Sequence, residues 1–138
     1  MRPIRSALAL ATLVMLASLV MLSSSTAQRV ENRADEVLRS WYKVALELVR
    51  HTPTYSPPVA SRSFAYLGVV AFEATASGQS GLKSLAGQLN GLQDIPAREM
   101  GETYDEAVVL EAAMANMIAT LFRNTGPAGQ RVIPTFKA

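Results

Sequence analysis

The chain has 138 residues, 13 of them Lys or Arg and 11 Asp or Glu, for a formal net charge of +2. Arg2 and Arg5 carry that surplus, so the rest of the chain is balanced, and nothing in it resembles the cationic surface a nucleic-acid partner requires. There is no cysteine, which removes disulfide staples, thiol catalysis and Cys-containing metal sites, and leaves helix packing, a partner or further chain as sources of stability.

The first segment reads as an address. Arg2 and Arg5 precede an uncharged apolar run from Ala7 to Leu22, and Ser25 and Ala27 place small residues at the −3 and −1 positions of a cut before Gln28. This is the layout of a secretory signal peptide over residues 1–27, followed by an exported module over 28–138. The apolar run is shorter than the ~20 residues that cross a bilayer comfortably. A membrane partner is therefore expected only if the segment stays uncleaved and serves as an anchor.

A helix is expected over 32–50. Val37, Trp41, Val44, Ala45 and Leu48 recur at helical spacing, and Leu38, Tyr42 and Val49 widen the apolar face. Pro53 biases Thr52 away from helical geometry and ends it. Pro57 or Pro58 then opens a second helix to about residue 76, with Ser56 as its cap. That helix is apolar nearly all round, which predicts a buried central position. Arg62 and Glu73 fall on one stripe with Tyr66 and Val69; near solvent at opposite ends, or with structural partners, both charges are tolerable.

Residues 77–101 are punctuated by Gly78, Gly81, Gly87, Gly91 and Pro96, and only 82–89 is long enough for two helical turns. Asn90-Gly91 reads as a turn. A third strong helix is expected over 103–123, opened by a Thr103/Glu106 capping box and closed by Asn124, Gly126 and Pro127. Met100, Met114 and Met117 read as core filler. After Pro127 a further turn of helix begins, and Pro134 is expected to break it. No period-2 pattern marks a strand. The class is all-α, a small bundle of three to four helices that forms an incomplete part of a larger bundle.

The residues offer little chemistry. His51 is the only histidine, it follows a helix C-terminus, and with no cysteine and no second histidine it cannot anchor a zinc site. No Gly-x-Ser-x-Gly and no phosphate-binding glycine loop is present. Glu99, Glu102, Asp105, Glu106 and Glu111 cluster in sequence, but Asp105 and Glu106 are explained by a helix start. No catalytic, cofactor-binding or metal-ligating residue is assigned, and no reaction can be assigned to the chain alone.

The stretch from Trp41 to Arg62, continuing through Phe64–Gly68 and Ala71–Ala74, with Ser84–Leu92 and Tyr104–Ala107, resembles the N-terminal helical region of bacterial vanadium-dependent haloperoxidase-like proteins of the phosphatidic acid phosphatase type 2 superfamily. The resemblance covers about residues 32–131. It implies a helical bundle that binds vanadate or phosphate through a Lys, two Arg and a His, with a second His as acid–base or covalent partner. Those residues belong to Lys…Arg-Pro, Pro-Ser-Gly-His and Arg…His…Asp motifs. Here the only Arg-Pro is Arg2-Pro3. Ser77-Gly78 and Ser80-Gly81 are followed by Gln79 and Leu82 rather than by His. The resemblance therefore implies a front portion cut off before the catalytic motifs. No cofactor is expected in this chain, and its partner is expected to be a missing C-terminal catalytic region or a second copy. A free-standing exported or membrane-tethered helical interaction protein is the alternative.

Overall fold

The computed structural model describes residues 33–135, which contain helix and turns and no strand. The signal peptide expected over 1–27 lies outside the described residues. Four helices follow in order: α1 over 33–51, α2 Pro57–Ala76, α3 Glu106–Leu121 and α4 Pro127–Thr135. The protein is an all-α bundle over this range. None of its described helices is long and apolar enough to cross a membrane.

α1 buries the face its spacing predicts, with Trp41, Val44, Ala45 and Leu48 all in the core. Its exposed side carries Arg39 paired with Asp35 and Arg50 paired with Glu47, contacts of small energetic weight on an open surface. Thr52 closes the helix: its hydroxyl donates to the Leu48 carbonyl at 2.6 Å. The Thr52 and Thr125 hydroxyls lie 2.8 Å apart and both residues are buried. Thr52 has one hydroxyl proton and commits it to Leu48, so Thr125 donates to Thr52. This bond ties the end of α1 to the turn after α3.

α2 begins with Pro57 and Pro58 in its first turn, where a missing N–H costs nothing. Ser56 occupies the N-cap position, but its side chain makes no cap bond. The expected central position is not where α2 lies. Ser63, Leu67, Glu73 and Ala76 are buried, while Val59, Arg62, Ala65, Tyr66 and Gly68 face outward. The core is centred instead on α3, whose Leu110, Met114, Ala115 and Ile118 join Phe122 just beyond its end. α3 packs against α2 on one side and α4 on another, and Glu111 accepts a bond from the Trp41 indole N–H of α1 at 2.8 Å. α1 and α2 meet through stacked Tyr42 and Phe64 rings, 6.1 Å between centroids.

Other expected boundaries shift for local reasons. The cap of α3 is Asp105, whose carboxylate accepts from the Ala107 and Val108 N–H groups, so the Thr103/Glu106 box does not form. Residues 82–89 form turns rather than two turns of helix. Gly87 and Gly91 take positive φ, and the Gly87 N–H donates to the Leu92 carbonyl, closing a compact loop. Pro134 does not break the last helix, which runs through it to Thr135. A proline there forfeits a single hydrogen bond late in the helix, and buried Ile133 holds the turn to the core.

The turn into α4 is tight: Gly129 lies directly on the Thr125 side chain, with no room for a Cβ. The Gln130 amide also reaches back to the Arg123 carbonyl at 2.8 Å, satisfying one of the open carbonyls at the end of α3. Gly129→Ala is expected to cost about 1–3 kcal/mol by overpacking. Met114→Ala, at a fully buried site, is expected to cost about 2–5 kcal/mol. Val108→Ala, on the exposed side of the same helix, should stay within about 0.5 kcal/mol. Urea unfolding of the three variants checks the ranking.

Candidate functional site

His51 stands at the end of α1, exposed, with Nε2 3.6 Å from Glu47 Oε2, while the other oxygen of that carboxylate faces Arg50. Lone and solvated, it has no second ligand or nucleophile beside it. Among the described residues no three His, Cys, Asp or Glu side chains converge as metal ligands.

Three of the five carboxylates that cluster in sequence are each taken by a different partner. Asp105 caps α3 and meets the Arg33 guanidinium at 2.9 Å. Glu106 pairs with Arg98 at 2.7 Å, and Glu111 accepts from Trp41. Glu99 uses its backbone N–H on the Tyr104 hydroxyl, and Glu102 is exposed. This distribution supplies helix caps and struts. Glu111 also lines a recess with Glu36 of α1, but its carboxylate there accepts from the Trp41 indole.

The densest polar cluster centres on Arg98, which the sequence did not single out. Both of its Nη atoms bond Glu106, Nε donates to the Ser77 hydroxyl at 3.0 Å, and Nη2 also reaches the Ala74 carbonyl at 3.3 Å. Its guanidinium lies over the Tyr104 ring, 5.1 Å from the centroid. The cation thus sits on the negative end of α2 while its partner carboxylate sits on the positive start of α3, so both helix dipoles favour the pair. The bond to Glu106 outweighs desolvation and holds the guanidinium proton more tightly than usual. All three guanidinium nitrogens donate to structural partners.

Glu73 makes a second anchor. It is buried at the end of α2, and its carboxylate accepts from the Leu85 N–H at 2.6 Å and the Ser84 hydroxyl at 2.8 Å. Arg62, on the same stripe of the helix, is exposed two turns and more away. The two charges do not meet: one faces solvent and the other holds a loop. The sequence left Glu73 either near solvent or with structural partners, because loop residues eleven and twelve positions on follow no helical period.

The surface recesses are shallow. One of about 490 Å³ lies between the α1–α2 connector and the end of α3, where Tyr55 stacks on Phe122 and donates to the Leu121 carbonyl at 2.6 Å. Arg123 borders it at the negative end of a helix, a poor setting for an anion. Compared with protein-family models, curated proteins and solved structures, the chain matches none of them.

Asp105 gives a pH dependence. Partial desolvation opposes its charge, but the Val108 N–H, Arg33 and the Ala107 N–H outweigh it and hold the carboxyl below its ordinary 3.8. A folded-state value below the unfolded one means that the contribution is complete above about pH 4 and is lost as pH falls through the folded value. Asp105→Asn keeps an amide that can cap the helix but removes the charge. The melting-temperature gap between wild type and this variant should therefore be largest near neutral pH and shrink below about pH 4; a gap that widens in acid contradicts the assignment.

Proposed function

We propose that this chain is an exported helical module without chemistry of its own, the front portion of a vanadium haloperoxidase or phosphatidic acid phosphatase-like protein, built to pack against further helical chain. The observation that carries the reading is the outer side of α2. Val59 and Tyr66 are 43% and 47% exposed, Ala65 and Gly68 are open beside them, and Arg62 is the only charge before Glu73. An apolar side of this kind on a helix that uses its other side for the core is suited to receiving another helix, with the small residues allowing close approach. The link to that family rests on the sequence stretches over 41–74, 84–92 and 104–107. Export rests on the layout of residues 1–27.

The absence of chemistry follows from the ligand set. Holding and turning over an oxyanion takes converging cationic donors and an acid–base imidazole. The sole histidine of this chain pairs with Glu47, and Arg33, Arg39, Arg50 and Arg98 are each engaged by a carboxylate.

The competing reading, a free-standing interaction protein, draws on the self-sufficient core: among the described residues no buried side-chain polar atom lacks a hydrogen-bond partner. The coding sequence immediately downstream separates the two. A frame carrying Pro-Ser-Gly-His supports the front-portion reading, and its absence favours the free-standing one. The purified chain, supplied with vanadate, is expected neither to oxidise bromide with peroxide nor to release phosphate from an ester; turnover in either assay overturns the proposal.

Gly68→Ala probes the α2 face itself. A Cβ at Gly68 would sit 3.7 Å from the Tyr42 hydroxyl, an ordinary contact. The variant should stabilise the isolated chain by about 0.5–1 kcal/mol through lost unfolded-state freedom. Denaturant midpoints measure it, and a loss of stability would mean that α1 and α2 pack more tightly here than this contact implies.

A further inference from the structure

The connection between α2 and α3, residues 77–105, is long and irregular. In compact domains, unstructured connections beyond ~15 residues are uncommon and usually have a function of their own. None of its side chains is buried, and none belongs to or packs on the apolar core. Leu82 and Leu89 face solvent, and Met100 is fully exposed. Apolar burial therefore does little to hold this segment down.

Two polar anchors do so instead. Near its middle, the Leu85 N–H and Ser84 hydroxyl are held by the buried Glu73 carboxylate. Near its far end, Arg98 is held by Glu106 and by the Ala74 carbonyl. Beyond the first anchor, residues 85–92 are internally bonded: Gln88 and Leu89 donate to the Leu85 carbonyl, Gly87 to Leu92 and Leu92 to Leu89. At the near end Gly78 lies against the Arg98–Glu106 pair, so that a Cβ there would meet both partners. At the far end Gly101 takes a positive φ. The piece is thus coherent within itself, joined to the bundle by charged groups, and bounded by a glycine at each end.

We propose that residues 79–104 form a strap that opens as one unit while the helices stay closed, with Glu73 and Glu106 as its two latches. Opening leaves the core intact and uncovers the junction between the end of α2 and the start of α3, where Glu73, Ala76 and Ala107 are now buried. It also frees the Glu73 carboxylate and the α2 carbonyl that Arg98 covers. Local opening of this kind is expected where buried apolar contacts are few. The inference rests on the fold alone and does not depend on the proposed function.

Hydrogen–deuterium exchange of the full chain tests it, read at the bonded amides Leu85, Gly87, Gln88, Leu89 and Leu92 and at the interiors of α1 and α3. Glu106→Gln weakens one latch and Ser84→Ala weakens the other, at separate places. Each is expected to speed exchange at the whole set of strap amides by about tenfold, with Glu106→Gln acting on amides it does not touch, while the α1 and α3 interiors keep wild-type rates. Acceleration confined to the immediate surroundings of each substitution overturns the single unit. Equal acceleration across strap and helices overturns the independence of the strap. Circular dichroism at the exchange temperature identifies a variant that has failed to fold, and Arg98→Lys, which keeps the charge but loses the paired geometry, then takes its place with the same expected pattern.

Discussion

α3 turns an apolar side inward that has to be covered, and leaves a stripe of Val108, Ala112, Asn116 and Thr120 exposed. Met114, Ile118 and the adjoining Phe122 are completely buried, and each of the other helices contributes to covering them. The polar contacts of the bundle are arranged around that burial. Trp41 enters the core from α1 and places its indole N–H on Glu111, so a large aromatic group is buried with its donor satisfied. Thr52 and Thr125 do the same for the hydroxyls where the end of α1 meets the turn into α4.

The helix ends are held by side chains chosen for charge. Asp105 and Glu106 stand at the start of α3, and the cation facing Glu106 stands at the end of α2, so one ion pair serves two helix termini. That pair has to be supplied by the α2–α3 connection, which has no apolar hold of its own. Two regimes result within one small protein: a bundle held by burial, and a connection held by a handful of polar contacts. Asp105, Glu106, Glu73, Arg33 and Arg98 are committed to caps, struts and latches, and a side chain so committed is not available to grip a ligand.

α2 belongs to both regimes. Its inner side packs on α3 and its end carries Glu73, but its outer side presents Val59 and Tyr66 with small residues between them. A helix apolar all round was read as central, and periodicity had no means of deciding otherwise. α3 is just as apolar, and only one helix can occupy the middle of so small a bundle. Which one does is settled by shape and by partners distant in sequence: Phe122 and Tyr55 stack at one end of α3, and Asp105 fixes the other.

What the residues determined by themselves was local. Helical spacing fixed the existence of α1, α2 and α3 and the buried face of α1, and the prolines at 53, 57 and 58 fixed where one helix stops and the next begins. The all-α class and the isolation of His51 were also legible, because each depends on residue types and short spacings. Tertiary structure alone decided the central helix, the cap at Asp105, the passage of α4 through Pro134, and the roles of Arg98 and Glu73. Those depend on contacts between residues far apart in the chain or without periodic relation, and such contacts form only after the helices have packed. A one-dimensional pattern records which side of a helix avoids water, but not which neighbour will cover it.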